Sequence, residues 1–167
     1  RVMQSDGHFR YLLIVDCDVH QGNGTSSIAR GDASLFSFSM HCEKNFPFQK
    51  TEGDCDIPLP VGTTDALYLG KLETELKKVF DLFSPDFIFY LAGADPYTKD
   101  RLGLLDLSKA GLATRDRIVL NLCHEKGVPL AFAMAGGYAP EISDIVDIHF
   151  QTVKIAVENL TSRQSSI

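Results

Sequence analysis

Continuous apolar runs alternate along this chain with stretches whose apolar positions recur every three or four residues, and that alternation predicts most of its elements. Tyr11-Leu12-Leu13-Ile14-Val15 is apolar throughout and breaks at Asp16, so a first strand is expected over about 12–16 and a short helix over 25–29. A second strand, about 34–39, runs into Met40-His41. From a cap at Thr63 or Thr64 to about Phe83, Leu69, Leu72, Leu76, Val79, Phe80 and Phe83 fall at helical spacing. Lys71, Glu73, Glu75, Lys77 and Lys78 take the other side, and Ser84-Pro85-Asp86 ends the helix. Phe87-Ile88-Phe89-Tyr90-Leu91-Ala92 has the pattern of a strand buried on both faces. A helix capped by Ser108 and stopping near Gly127, a strand over 130–134 and a closing helix over 141–160 complete the series.

The pattern lapses between Cys42 and Gly62, where Pro47, Pro58, Pro60 and Gly53 interrupt it. A long loop is expected there, and a loop of that length inside a compact domain is usually functional or disordered. Strands alternating with helices imply an α/β fold, a three-layer parallel sheet with helices on both faces. Ligands bind such sheets beyond the carboxyl ends of the strands. The polar signals fall there in turn: Asp18 and His20, Ser39-Met40-His41, Gly93-Ala94-Asp95, and Gly136-Gly137-Tyr138.

Composition narrows the classes of function. The 167 residues fit one domain, 1–167, by the usual span of about 100–200 residues. A net charge of −6 without any Lys/Arg run argues against direct nucleic-acid binding. No apolar segment approaches the roughly 18 residues of a membrane helix, and no signal-peptide layout is present, so no membrane partner is expected. Cys17, Cys42, Cys55 and Cys123 form no C-x-x-C pair and are expected to be reduced thiols in a cytoplasmic protein.

Candidate chemistry centres on Asp16-Cys17-Asp18-Val19-His20. In extended backbone Asp16, Asp18 and His20 share one face, and burying such groups unpaired costs several kcal/mol or more. Taken singly they have plainer roles: Asp18 as a helix cap, His20 as a packed ring, Asp95 before Pro96 as a turn residue. Taken together, Asp18, His20 and Asp95 form an O,O,N set that leaves coordination positions open. Such a set suits a catalytic Zn²⁺, with Fe²⁺ or Mn²⁺ as alternatives. Tyr138 is either a half-buried loop tyrosine or a phenol that stabilises an oxyanion on a metal-polarised carbonyl. Asp16, deeper in the sheet, can be satisfied structurally, orient a ligand from behind, or bind a monovalent ion with Ser39 and the carbonyls of Met40 and His41. Cys17 points the opposite way and is expected in the core. His8, His124 and His149 are expected on the surface or on helices.

These motifs resemble the C-terminal half of the histone deacetylase family, in its arginase/deacetylase fold. The family's D-x-D-x-H-x-G-x-G block matches Asp16 to Gly24. Its G-x-D turn matches Gly93-Ala94-Asp95, the trailing D-R-L-G matches Asp100 to Gly103, and its G-G-Y turn matches Gly136-Gly137-Tyr138. The resemblance implies that Asp18, His20 and Asp95 are zinc ligands and that Tyr138 polarises the acyl carbonyl. It also implies that Asp16 and Ser39 serve a monovalent ion such as K⁺. Phe46 and Leu102 would line a narrow tunnel, with Gly136 and Gly137 beside it, for an acylated lysine or an acylated polyamine or other small amine. Gln21 stands where class I members have a second histidine, so His-Gln-Gly-Asn-Gly looks closer to the class IV and bacterial deacetylase-like branch.

The family carries a tandem His-His base in an N-terminal segment, and this sequence has no adjacent histidines. The expectation is therefore a metal-dependent deacylase half-domain that binds metal and turns over poorly or not at all alone. Two rivals stand beside it. One is a non-catalytic half that works by association, with its own copies as a homo-oligomer or with an N-terminal half. The other is a hydrolase of the arginase branch, which uses two manganese ions. The single aspartate of Gly93-Ala94-Asp95 favours one metal.

Overall fold

The computed structural model describes residues 1–164, so the last three residues of the expected 1–167 domain lie outside the described residues. After a short helix α1 (Val2–Ser5) come β1 (Leu12–Asp16), α2 (Asn23–Ala29), β2 (Leu35–Cys42), β3 (Cys55–Leu59) and α3 (Asp65–Leu82). The series ends with β4 (Phe87–Ala92), α4 (Lys109–Glu125), β5 (Leu130–Met134) and α5 (Ile142–Gln164). All strand pairs are parallel, in the order β3-β2-β1-β4-β5. Among the described residues no helix is long and apolar enough to cross a membrane.

Successive side chains of the central strands feed opposite faces, as the pleat requires. Leu13, Val15, Ile88, Tyr90 and Ala92 join a large core with Leu72 and Leu76 of α3 and Leu112 and Val119 of α4. Leu12 and Phe87 turn the other way, onto Ala29 of α2, with Met3 and Phe9 packed against them. Helices thus cover both faces, the second more thinly than the first.

The stretch expected to be loop contains the edge strand β3. Pro58 hid it, because proline is excluded from central strands but tolerated at an edge, and Pro58 here pairs in register with His41. β2 continues past Ser39 to Cys42, and α2 begins earlier than expected, at Asn23. Thr64 is the N-cap of α3, yet its side chain makes no capping hydrogen bond. Asp65 instead reaches across to the start of α4, accepting from the Ser108 N–H at 2.9 Å and from its hydroxyl at 2.6 Å. Ser108 does cap α4, accepting from Gly111 N–H at 2.9 Å.

The strand order positions the site. From β1 the chain turns through α2 to β2 on one side, whereas from β4 it turns through α4 to β5 on the other. β1 and β4 are neighbours, with Asp16 opposite Leu91, so the loops leaving them diverge. A crevice at the carboxyl edge follows from that reversal of direction.

The helix faces are testable in α3. Leu72 is fully buried and Leu82 is 78% exposed. Leu72→Ala is expected to cost about 2–5 kcal/mol in urea denaturation, and Leu82→Ala about 0.5 kcal/mol or less. Equal losses would contradict the orientation of this helix.

Candidate metal centre

β1 stops at Asp16, and the residues beyond it are not extended. The Asp18 N–H donates to Asp16 Oδ1 at 3.0 Å, and the His20 N–H donates to Asp18 Oδ1 at 2.9 Å. Each aspartate captures the amide two residues on, the usual way this side chain makes a turn. The expected sharing of one strand face by Asp16, Asp18 and His20 is therefore corrected. Two consecutive turns, rather than a strand, carry Asp18 and His20 to the crevice.

The turn after β4 meets them. His20 Nδ1 lies 2.9 Å from Asp18 Oδ1 and 3.1 Å from Asp95 Oδ2. Asp95 accepts from the Val19 N–H at 2.9 Å, and Asp18 Oδ2 accepts from the Gly136 N–H at 2.7 Å. The Ala94 N–H donates to the Gly136 carbonyl at 2.6 Å, which draws the turn after β5 against the other two. A Cβ on Gly136 would collide with the carboxylates of Asp95 and Asp18. One on Gly93 would lie 2.8 Å from the Asp18 Cα. Glycine at both places lets the backbone close to a small cradle.

Asp18, His20 and Asp95 each offer one ligand atom, and these atoms lie within 4.8 Å of one another. Two carboxylate oxygens and one imidazole nitrogen are a donor set suited to Zn²⁺, Fe²⁺ or Mn²⁺. The cradle and the donor chemistry both fit a single divalent ion.

Charge holds these three side chains together. The carboxylate of Asp18, then that of Asp95, push the His20 imidazolium up to about 10. Burial raises Asp95 above the usual carboxylate range. Asp18 is also desolvated, but the His20 ring and the amides of His20 and Gly136 bring it below that range. Burial pushes Asp16 up to about 7.

The other expected residues are placed unequally. Asp16 and Ser39 are register partners on β1 and β2, both buried. They share the Gly22 turn: a Cβ there would strike Asp16, and the Gly22 N–H donates to Ser39 Oγ at 3.4 Å. Tyr138 is exposed, but its backbone is clamped on both sides. Its N–H donates to Asp100 Oδ2 at 2.6 Å, and its carbonyl accepts from Arg101 Nε at 3.0 Å. Phe46 and Leu102 are exposed. Cys17 is in the core as expected, and burial pushes its thiol up to about 12, leaving it inert. His8 and His124 are exposed, and His149 is half-buried on α5.

Several residues that hold the site were not singled out for it by sequence. Asp100 and Arg101 stood in the D-R-L-G motif without a role. Asn45 ties the Phe46 loop to the Leu102 loop, donating to the Leu102 carbonyl at 2.6 Å and accepting from Leu104 N–H at 3.0 Å. Gln21 fixes the far loop by donating to the Thr51 carbonyl at 2.7 Å and to Asp56 at 2.8 Å. A lone amide in a loop carries no periodic signal that would mark it.

Metal affinity should depend on pH with a definite sign. The His20 imidazolium, raised to about 10, is protonated near neutrality in the metal-free chain, and a cation must displace that proton. Zn²⁺ binding followed by calorimetry is expected to strengthen about tenfold per pH unit from about pH 7 to 9, with release of one proton. An affinity flat over that range would contradict the assignment of His20.

Residues 1–153 match the family described as the histone deacetylase domain. The chain is 46% identical over 149 residues to an uncharacterised protein of Picosynechococcus sp., covering 89% of this chain and 50% of that one. It is 32% identical over 170 residues to Histone deacetylase 2 of Arabidopsis thaliana, covering 96% and 42% respectively. The crystal structure of an HDAC homologue complexed with SAHA superposes with a TM-score of 0.74 at 26% identity, covering 95% of this chain and 48% of that chain. The chain thus spans about half the length of the curated relatives it matches. The family match runs through every turn that builds the crevice, from Asp16 to Tyr138, and by that match the chain belongs to the histone deacetylase family.

Proposed function

We propose that this chain is the metal-binding part of a metal-dependent amide hydrolase that removes acetyl or longer acyl groups from lysine side chains or from small amines such as polyamines. The observation that carries this reading is the convergence of Asp18, His20 and Asp95 on one cradle at the carboxyl edge of a sheet, in a chain of the deacetylase family. Those residues would hold Zn²⁺, which when bound supplies Lewis-acid polarisation of the acyl oxygen and acidifies water.

The remaining roles fall to the chain's own residues. Tyr138 donates its phenol proton in a hydrogen bond to the oxygen that gains negative charge. Its backbone is held by Asp100 and Arg101. Phe46 and Leu102, whose loops Asn45 joins, flank the acyl chain and exclude water from it. Asp16 and Ser39 support the first ligand turn through Gly22 and take a monovalent cation such as K⁺. By the family resemblance the proton acceptor for water would be a tandem histidine pair, and this sequence contains no adjacent histidines.

A second reading is favoured by one observation. Ile142, Val146, Phe150, Val153, Val157 and Leu160 of α5 are all exposed, beside β5, whose own residues are at best half-buried. Apolar residues exposed along one helix face mark an association surface, and on this second reading the chain works by pairing with another polypeptide.

Equilibrium dialysis should find one Zn²⁺ per chain, lost in Asp95→Asn and retained in Tyr138→Phe. Two Mn²⁺ per chain would point to the arginase branch instead. With an acetyl-lysine peptide, the pure chain is expected to turn over slowly or not at all. Hydroxamate-sensitive turnover at an ordinary enzymatic rate would contradict the missing base. Where activity is restored by a histidine-bearing partner, Tyr138→Phe should lower kcat on the order of 10²–10³-fold. Size-exclusion chromatography with light scattering is expected to show self-association of the chain alone, and a monodisperse monomer at high concentration would sink the second reading.

A further inference from the structure

Arg115 of α4 is fully buried, an expensive place for a guanidinium unless it is paired with a carboxylate and hydrogen-bonded. Its Nε donates to Asp116 Oδ1 at 2.9 Å, and Nη2 lies 2.8 Å from the same oxygen as an ion pair, without a hydrogen bond of its own. Asp116 is itself anchored, accepting from the Tyr90 hydroxyl of β4 at 2.5 Å and the Thr152 hydroxyl of α5 at 2.6 Å. That ion pair leaves Nη1 pointing away from Asp116. It reaches the carbonyl of Gly93 at 2.5 Å and the carbonyl of Cys17 at 3.4 Å.

Both carbonyls belong to peptide units that lead into the metal centre. The Cys17 carbonyl shares its peptide plane with the Asp18 N–H, which donates to Asp16 Oδ1 at 3.0 Å. The Gly93 carbonyl shares its plane with the Ala94 N–H, which donates to the Gly136 carbonyl at 2.6 Å. Each plane is therefore pinned at both ends, by Arg115 from below and by the site from above. Because a peptide unit is rigid, rotating either plane would swing Asp18 or the Ala94-Asp95 turn away from the cradle.

We propose that Arg115 is a positioning residue for the metal centre, setting the separation of Asp18 and Asp95 by holding the peptides ahead of both turns with one guanidinium nitrogen. This rests on the metal reading above. Lysine cannot replace it, because one ammonium cannot span the Asp116 carboxylate and both carbonyls as the planar fork does.

Co²⁺ titration into the full 167-residue chain, followed by its visible absorption, tests the proposal. Arg115→Lys is expected to weaken Co²⁺ binding at least tenfold and to alter the absorption bands. Thr152→Val, which loosens the same network without touching either carbonyl contact, is expected to lower Tm while leaving Co²⁺ affinity within twofold. If Arg115→Lys lacks a cooperative melt, the neutral double variant Arg115→Gln with Asp116→Asn is measured in its place. It keeps partners for Tyr90 and Thr152, is too short to reach Gly93, and must show the same loss. A folded Arg115 variant with wild-type affinity and bands overturns the proposal. So does a Thr152→Val chain that loses affinity as much, since the network would then act only through overall stability. A wild-type chain that takes no Co²⁺ overturns the metal reading itself, and this inference with it.

Discussion

Two carboxylates and an imidazole confined to one crevice repel or desolvate one another unless a positive charge lies among them. Asp18 and Asp95 both contact the His20 ring and hold its imidazolium well above the usual histidine range. The backbone around them is arranged to the same end. Amides of Val19, His20 and Gly136 all point into the carboxylates, and glycine at 93 and 136 lets those amides approach. The price in desolvation is large, and such an arrangement makes physical sense where a divalent cation takes the proton's place.

The sheet order is what brings the charges together. Asp18 follows β1 and Asp95 follows β4, and these two strands are neighbours from which the chain departs in opposite directions. A ligand pair separated by 77 positions in sequence thereby becomes a contact pair without any long loop having to fold back. The turn after β5 closes the third side through Gly136. Beneath the crevice, the buried Arg115–Asp116 pair ties α4, β4 and α5 to the same turns.

Much of this was legible in the amino-acid sequence. β1, β4 and β5 are apolar runs bounded by polar turns, and their limits coincide with the expected ones. The three ligand candidates stood out because carboxylate and imidazole follow strands at the ends where ligands bind. β3 was illegible because a proline in a five-residue edge strand looks like a loop. Alternation suggests a strand through Asp18 and His20. The bonds from the Asp16 and Asp18 carboxylates to the amides two residues on decide otherwise, because such local turns compete with a strand at the same positions. In the sequence Arg115 and Asp116 are simply two charges within a helix. Only the packing of α4 against the ends of β1 and β4 turns them into an interior brace.

Zinc K-edge X-ray absorption on the metal-loaded chain tests the central claim most directly. The account predicts a first shell of nitrogen and oxygen only, at about 2.0–2.2 Å, with the outer-shell pattern of a single imidazole. Sulfur in that shell, at about 2.3 Å, would mean that a cysteine rather than the Asp18–His20–Asp95 cradle takes the ion, and would contradict it.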